Sequence, residues 1–172
     1  MLVLVLGGAR SGKSVFAERW ATTAAARAGT GVTYLATGWA ADADMAERIA
    51  AHRRRRPSGW STVEAAGAAL VPSLARSPGT VLLDALGTWL AGHHDFAVDA
   101  GELCDALRAR AGDTVVVSDE VGLGVHPETA VGRRFRDALG ELNQAVAAVA
   151  DRTVLVVAGR AVALGPWEDL LP

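Results

Sequence analysis

The apolar run Leu2-Val3-Leu4-Val5-Leu6 passes directly into Gly7-Gly8-Ala9-Arg10-Ser11-Gly12-Lys13-Ser14, and a helical pattern starts at the serine. No other feature constrains the chain so much. The eight residues fit the phosphate-binding spelling G-x-x-x-x-G-K-[ST], and they do so between a strand and a helix, which is the context that gives the spelling its meaning. Glycines let backbone N–H groups turn inward onto phosphate oxygens, Lys13 supplies a point charge to the β/γ-phosphates, and Ser14 offers its hydroxyl to Mg²⁺. The positive N-terminal end of the following helix adds to the same anion site. A chain with this opening binds a nucleoside triphosphate or something close to it. The reaction is decided elsewhere.

Downstream, Val15, Phe16, Arg19, Trp20 and Thr23 recur at helical spacing, so residues from about Ser14 to Ala28 read as a first helix, ended by Gly29 and Gly31. Val32 to Ala36 then reads as a second strand that closes at Thr37-Gly38. Asp42 or Asp44 can cap a helix that puts Met45, Ile49 and His52 on one face and stops before Pro57. Ser61 to Glu64 is a short strand. Ala65 to Arg76 has room for a short helix, broken or started by Pro72. Val81 to Asp84 and Thr114 to Ser118 are buried strands, Asp95 to Ala111 turns helical late, and a long helix runs from about Glu128 to Ala150. Thr153 to Val157 is the last strong strand, with a weaker one at Ala161 to Leu164. Strands alternating with helices predict a mostly parallel α/β sheet. Without an internal repeat, long linker or low-complexity tail, residues 1–172 are expected to form one domain.

Bulk properties narrow the setting. The formal net charge of −2 gives no general attraction to nucleic acid. No apolar run reaches transmembrane length, and Met1 enters the first strand without a secretory leader, so a cytoplasmic protein is expected. One cysteine, Cys104, excludes an internal disulfide and reads as core filler at Leu103/Leu107 spacing.

Five further features bear on chemistry. Asp84 ends a strand at the edge where the phosphate loop lies, so it either reaches the Mg²⁺ held by Ser14 or caps the next helix. Glu120 follows the next strand and is a further candidate to orient metal, water or a substrate hydroxyl, or else it ends the strand before a glycine turn. His52 stands beside Arg53, Arg54, Arg55 and Arg56. Like charge keeps such an imidazole neutral and therefore nucleophilic, while the guanidinium groups can neutralise a phosphate under attack. The other readings are a solvated helix end and a kinase in which the arginines form a lid over ATP. His93-His94-Asp95 is too contiguous to converge on one ion and reads as an exposed loop. Trp39, Trp60 and Trp89 read as packing, with stacking on a flat substrate as a secondary use.

Together these residues resemble the bifunctional adenosylcobinamide kinase/adenosylcobinamide-phosphate guanylyltransferase family of cobalamin assembly. The resemblance runs through the phosphate loop with Ala17-Glu18, Tyr34-Leu35-Ala36-Thr37, Met45-Ala46-Glu47-Arg48-Ile49 leading to His52 and Arg56-Pro57, and Trp60, Thr62 and Glu64. It continues through Leu83-Asp84, Trp89-Leu90, Glu120 to Glu128, Arg134-Phe135-Arg136-Asp137 and Asn143-Gln144. It implies a RecA-type P-loop NTPase fold, a homotrimer, and two reactions. ATP or GTP phosphorylates the aminopropanol hydroxyl of adenosylcobinamide. GTP then gives GMP to the histidine matching His52, and adenosylcobinamide phosphate accepts it to form adenosyl-GDP-cobinamide. Carried over by position, His52 and Lys13 are catalytic, and Ser14 with Asp84 holds Mg²⁺, directly or through water. Gly7, Gly8, Ala9, Arg10, Ser11, Gly12, Lys13, Ser14, Thr37, Gly38, Trp39, Arg53 to Arg56, Glu64 and Asp84 contact nucleotide. The chain departs from the family at Asp119, where asparagine is frequent, and at Ala91-Gly92, where a serine-asparagine pair is usual. A simple small-molecule kinase and a nucleotide-dependent switch are the competing readings.

Overall fold

A computed structural model describes residues 1–38, 57–166 and 169. The phosphate loop leaves strand β1 (Leu2–Gly7) and enters helix α1 (Lys13–Ala28). Strands β2 (Val32–Ala36) and β3 (Ser61–Glu64) follow, then a 3-10 turn at Gly67–Ala69 that leads into α2 (Leu70–Arg76). Next come β4 (Thr80–Asp84), the short α3 (Leu86–Ala91), a 3-10 turn at His94–Phe96, and α4 (Ala100–Arg108). The chain closes with β5 (Thr114–Asp119), the long α5 (Ala130–Val149), β6 (Arg152–Val157) and β7 (Arg160–Leu164).

Among the described residues the strands form one seven-stranded sheet in the order β3-β2-β4-β5-β1-β6-β7. Every pairing is parallel except β6 with β7, the hairpin at one edge. This is the mostly parallel α/β arrangement expected from the alternation of strands and helices, in keeping with the RecA-type fold that the family resemblance implies. Strand periodicity explains how one run feeds two cores. Leu2, Leu4 and Leu6 face the layer that contains α2, α3, α4 and α5, whereas Val3 and Val5 face α1. Val81 and Leu83 split from Leu82, and Val116 from Val115 and Val117, in the same way. Burial on both faces is why these strands read as unbroken apolar runs rather than alternating ones.

Helix α1 differs from its sequence pattern. The face it buries is Ala17, Ala21, Ala24 and Ala25, while Phe16 and Trp20 sit half-buried at its margin and Val15 is exposed. Small side chains let the helix lie close on the sheet, and that close approach aims its first turn at the loop. Gly29, at φ 65, ends the helix in the left-handed conformation, and Thr30 N–H reaches back to Ala25 O at 2.9 Å. Pro72 falls in the first turn of α2, where a missing N–H costs nothing. Helix α3 has no counterpart in the sequence reading. Cys104 is buried beside Ala145 O, and burial pushes its thiol pKa up, as suits a core residue. Among the described residues no helix is long and apolar enough to cross a membrane.

Candidate functional site

Strand register brings the candidate residues to one edge of the sheet. Glu64, Ala36 and Asp84 lie in one row across β3, β2 and β4, and Asp84 continues that row to Val117 on β5 and Val5 on β1. Two residues further along the strands, Asp119 pairs with Gly7. The carboxyl ends of five strands therefore open on the phosphate loop, as ligand sites in open α/β sheets do. Asp84 stands two strand spacings from β1, about 10 Å at the backbone, within reach of the loop through a metal ion and its waters.

The loop closes on itself through a few backbone contacts. Ser11 N–H donates to Gly8 O at 3.2 Å, Gly159 N–H donates to Ser11 O at 2.8 Å, and Phe16 N–H donates to Gly12 O at 3.0 Å. Two glycines are required by geometry. A Cβ on Gly7 would stand 2.5 Å from Ser11 Oγ and 2.7 Å from Val156 O, and Gly12 occupies φ +98. Gly8, Ala9 and Arg10 form the exposed outer rim, with Arg10 at φ 56, and Ser14 is half-buried on the first turn of α1. Lys13 lies back over the rim. Its Nζ donates to Gly8 O at 3.2 Å and pairs with Asp119 Oδ1 at 2.8 Å. Lys13 is the only lysine in the chain.

The neighbouring strand ends are held by side chains. Tyr34 Oη, buried on β2, donates to Asp84 Oδ2 and so fixes the carboxylate. Thr37 is fully buried. Its Oγ1 accepts from Ala85 N–H at 2.9 Å and lies 2.7 Å from both Ala85 O and Thr88 Oγ1. Among the described contacts the Thr37 hydroxyl is thus committed to joining β2 to the start of α3, with Gly38 packed near Thr88. Glu120 N–H donates to Gly7 O at 3.1 Å, and Glu120 Oε1 accepts from Gly122 N–H at 2.6 Å, which shapes the glycine turn. Glu64 ends β3 and is exposed.

The available donors suit a hard cation. The Ser14 hydroxyl and the Asp84 carboxylate offer oxygen donors, and among the described residues no group of three or more His, Cys, Asp or Glu could cage an ion unaided. One or two protein oxygens plus phosphates and water is a normal Mg²⁺ environment. His52, Arg53 to Arg56 and Trp39 lie outside the described residues, as does the helix expected around Met45 and Ile49. Trp89 is buried, donating Nε1–H to Gly67 O at 2.9 Å, and Trp60 packs at the edge of the α1-side core. His93 stacks edge-on against Trp89, and His94 is exposed.

Sequence reasoning did not assign a role to Asp119, Tyr34 or Thr88. Asp119 carried a usable signal, a second strand-terminal carboxylate, but its pairing with Lys13 requires that β5 lie beside β1. Tyr34 and Thr88 carried none, because their partners are 50 and 51 residues away along the chain.

Comparison with known proteins adds four findings. The profile of the cobinamide kinase / cobinamide phosphate guanyltransferase family matches residues 3–164. The bifunctional adenosylcobalamin biosynthesis protein CobP of Pseudomonas aeruginosa PAO1 is 41% identical over 164 residues, covering 91% of this chain and 92% of that protein. The bifunctional adenosylcobalamin biosynthesis protein CobU of Salmonella typhimurium LT2 is 36% identical over 180 residues, covering 92% and 97%. In structure, the flagellar accessory protein FlaH of Methanocaldococcus jannaschii superposes with a TM-score of 0.55 over 95% of this chain and 77% of FlaH, at 13% identity, a likeness of fold alone.

Proposed function

Because this chain belongs to the cobinamide kinase / cobinamide phosphate guanyltransferase family, we propose that its phosphate loop and the neighbouring strand ends form the nucleotide site for both of that family's reactions. The protein is a bifunctional adenosylcobinamide kinase and adenosylcobinamide-phosphate guanylyltransferase of cobalamin biosynthesis. The observation that carries the site assignment is the closed loop with its single lysine at the edge where Asp84 and Asp119 end their strands.

In the kinase step, the substrate hydroxyl oxygen bonds to the γ-phosphorus of ATP or GTP, the bond from that phosphorus to the bridging oxygen breaks, the nucleoside diphosphate leaves, and the hydroxyl proton is released. Loop amides and Lys13 orient the phosphates and neutralise their charge. In the second step a ring nitrogen of His52 bonds to the α-phosphorus of GTP and pyrophosphate leaves. A phosphate oxygen of adenosylcobinamide phosphate then displaces the histidine, giving adenosyl-GDP-cobinamide. Arg53 to Arg56 balance the charge of the departing pyrophosphate. Ser14 and Asp84 would hold Mg²⁺, which supplies charge neutralisation at the transferring phosphates when bound.

The chain works as one domain in the cytoplasm and assembles as a homotrimer. Support for assembly comes from the β6–β7 hairpin: among the described residues β7 is the outer strand of the sheet, with Val162 and Leu164 exposed on it and Val157 exposed at the end of β6. The test of function is product formation. With adenosylcobinamide, ATP and GTP, the wild type should yield adenosyl-GDP-cobinamide. Lys13→Ala should slow both steps by about a hundredfold or more. His52→Ala should stop at adenosylcobinamide phosphate. A His52→Ala protein that still makes adenosyl-GDP-cobinamide at the wild-type rate would refute the assignment.

A further inference from the structure

The carboxylate of Asp119 is held from several sides. Its Oδ1 lies 2.8 Å from Lys13 Nζ, and its Oδ2 faces Gly87 so closely that a Cβ there would stand 2.9 Å away. The peptide group that links it to Glu120 is pinned as well. Asn143 Nδ2 donates to Asp119 O at 3.1 Å, and the next residue, Glu120, donates to Gly7 O. The Lys13 side chain is only 13% exposed, against 38% for Asp119, so the lysine is the more covered partner of the ion pair. The ammonium it occupies is the one a triphosphate needs.

We propose that Asp119 is a positioning residue that acts as a counter-charge: it pairs with Lys13 at the cradle and sets triphosphate affinity, so that binding exchanges a carboxylate for phosphate oxygens on a single ammonium. This rests on reading the loop as the nucleotide cradle. Two consequences follow from charge. While paired, Lys13 is withheld from the incoming phosphates. After exchange, the Asp119 carboxylate stands within a few ångströms of bound phosphate and repels it. Both weaken binding, and both vanish when the carboxylate becomes an amide of the same shape.

Asp119→Asn tests this, with Lys13→Ala beside it, by calorimetric titration with ATP and with GTP. A unit charge a few ångströms from a polyphosphate at intermediate dielectric predicts that Asp119→Asn tightens binding by about tenfold or more. Raising the salt concentration should narrow the gap. Because the chain has one lysine, protein made with ε-carbon-labelled lysine gives a single side-chain signal. That signal should differ between nucleotide-free wild type and Asp119→Asn, and should move when nucleotide is added to the wild type. Unchanged or weakened affinity in Asp119→Asn, or a wild-type lysine signal indifferent to nucleotide, overturns the proposal. If Lys13→Ala binds nucleotide as well as wild type, the cradle reading itself falls, and the proposal with it. A defect in Lys13→Ala with no gain in Asp119→Asn removes this proposal alone.

Discussion

Gly7 carries two duties within one residue: it ends β1 and it lets Ser11 and the backbone of β6 approach within distances that no side chain tolerates. Ser11 Oγ could rotate away from an added methyl group, but Val156 O is backbone of a buried residue in a strand paired on both sides and cannot. Gly7→Ala should therefore lose nucleotide binding and cost about 1–3 kcal/mol of stability as an overpacked site. Titration with nucleotide and a denaturant melt check both parts. At this scale much of the candidate site was legible in the sequence, because the loop is contiguous and its chemistry is spelled in order. Asp84 was legible through its strand-end position. The ion pair of Asp119 with Lys13 was not, since it joins residues that are adjacent only after β5 inserts between β1 and β4. Nor was the commitment of Thr37 to Ala85 and Thr88, which depends on how β2 meets the start of α3.

Elements cohere at the opposite edge of the sheet through Asp113, which precedes β5. Its Oδ1 accepts from the Met1 ammonium at 2.8 Å and its Oδ2 from Arg27 at 3.1 Å, so one carboxylate joins β1, the end of α1 and β5. The hydrogen bond from the ammonium, aided by Arg27, holds the Asp113 carboxyl below its ordinary value of 3.8. A carboxyl depressed on folding stabilises the protein fully above that ordinary value, and the gain is lost as pH falls through the lower folded value. Asp113→Asn should thus be less stable than wild type at neutral pH by roughly 1 kcal/mol or less, since both cations are partly solvated. The difference should vanish in strong acid, and urea melts at several pH values measure it. Element existence was readable wherever a buried strand or long helix repeats its pattern. It was not for α3, whose six residues are too few to show a period, nor for the buried face of α1. There, larger side chains at helical spacing drew attention from the alanines that pack.

On the scale of the whole molecule, alternating strands and helices announced the parallel sheet, and the sheet order explains why loop, carboxylates and glycine turn share one edge. The antiparallel β7 departs from the parallel pattern because a tight Ala158-Gly159 turn, both residues at positive φ, returns the chain beside β6. The same turn sends Gly159 N–H to Ser11 O, so the hairpin that exposes an apolar edge also braces the phosphate loop. The central claim is that this cradle presents the α-phosphate of GTP to His52. GTP carrying a radioactive α-phosphate measures that directly. The account predicts that the wild type takes up label through an acid-labile, base-stable bond, that adenosylcobinamide phosphate removes it, and that His52→Ala binds GTP but stays unlabelled. Equal labelling of His52→Ala, or a wild type that binds GTP and never acquires label, would contradict it.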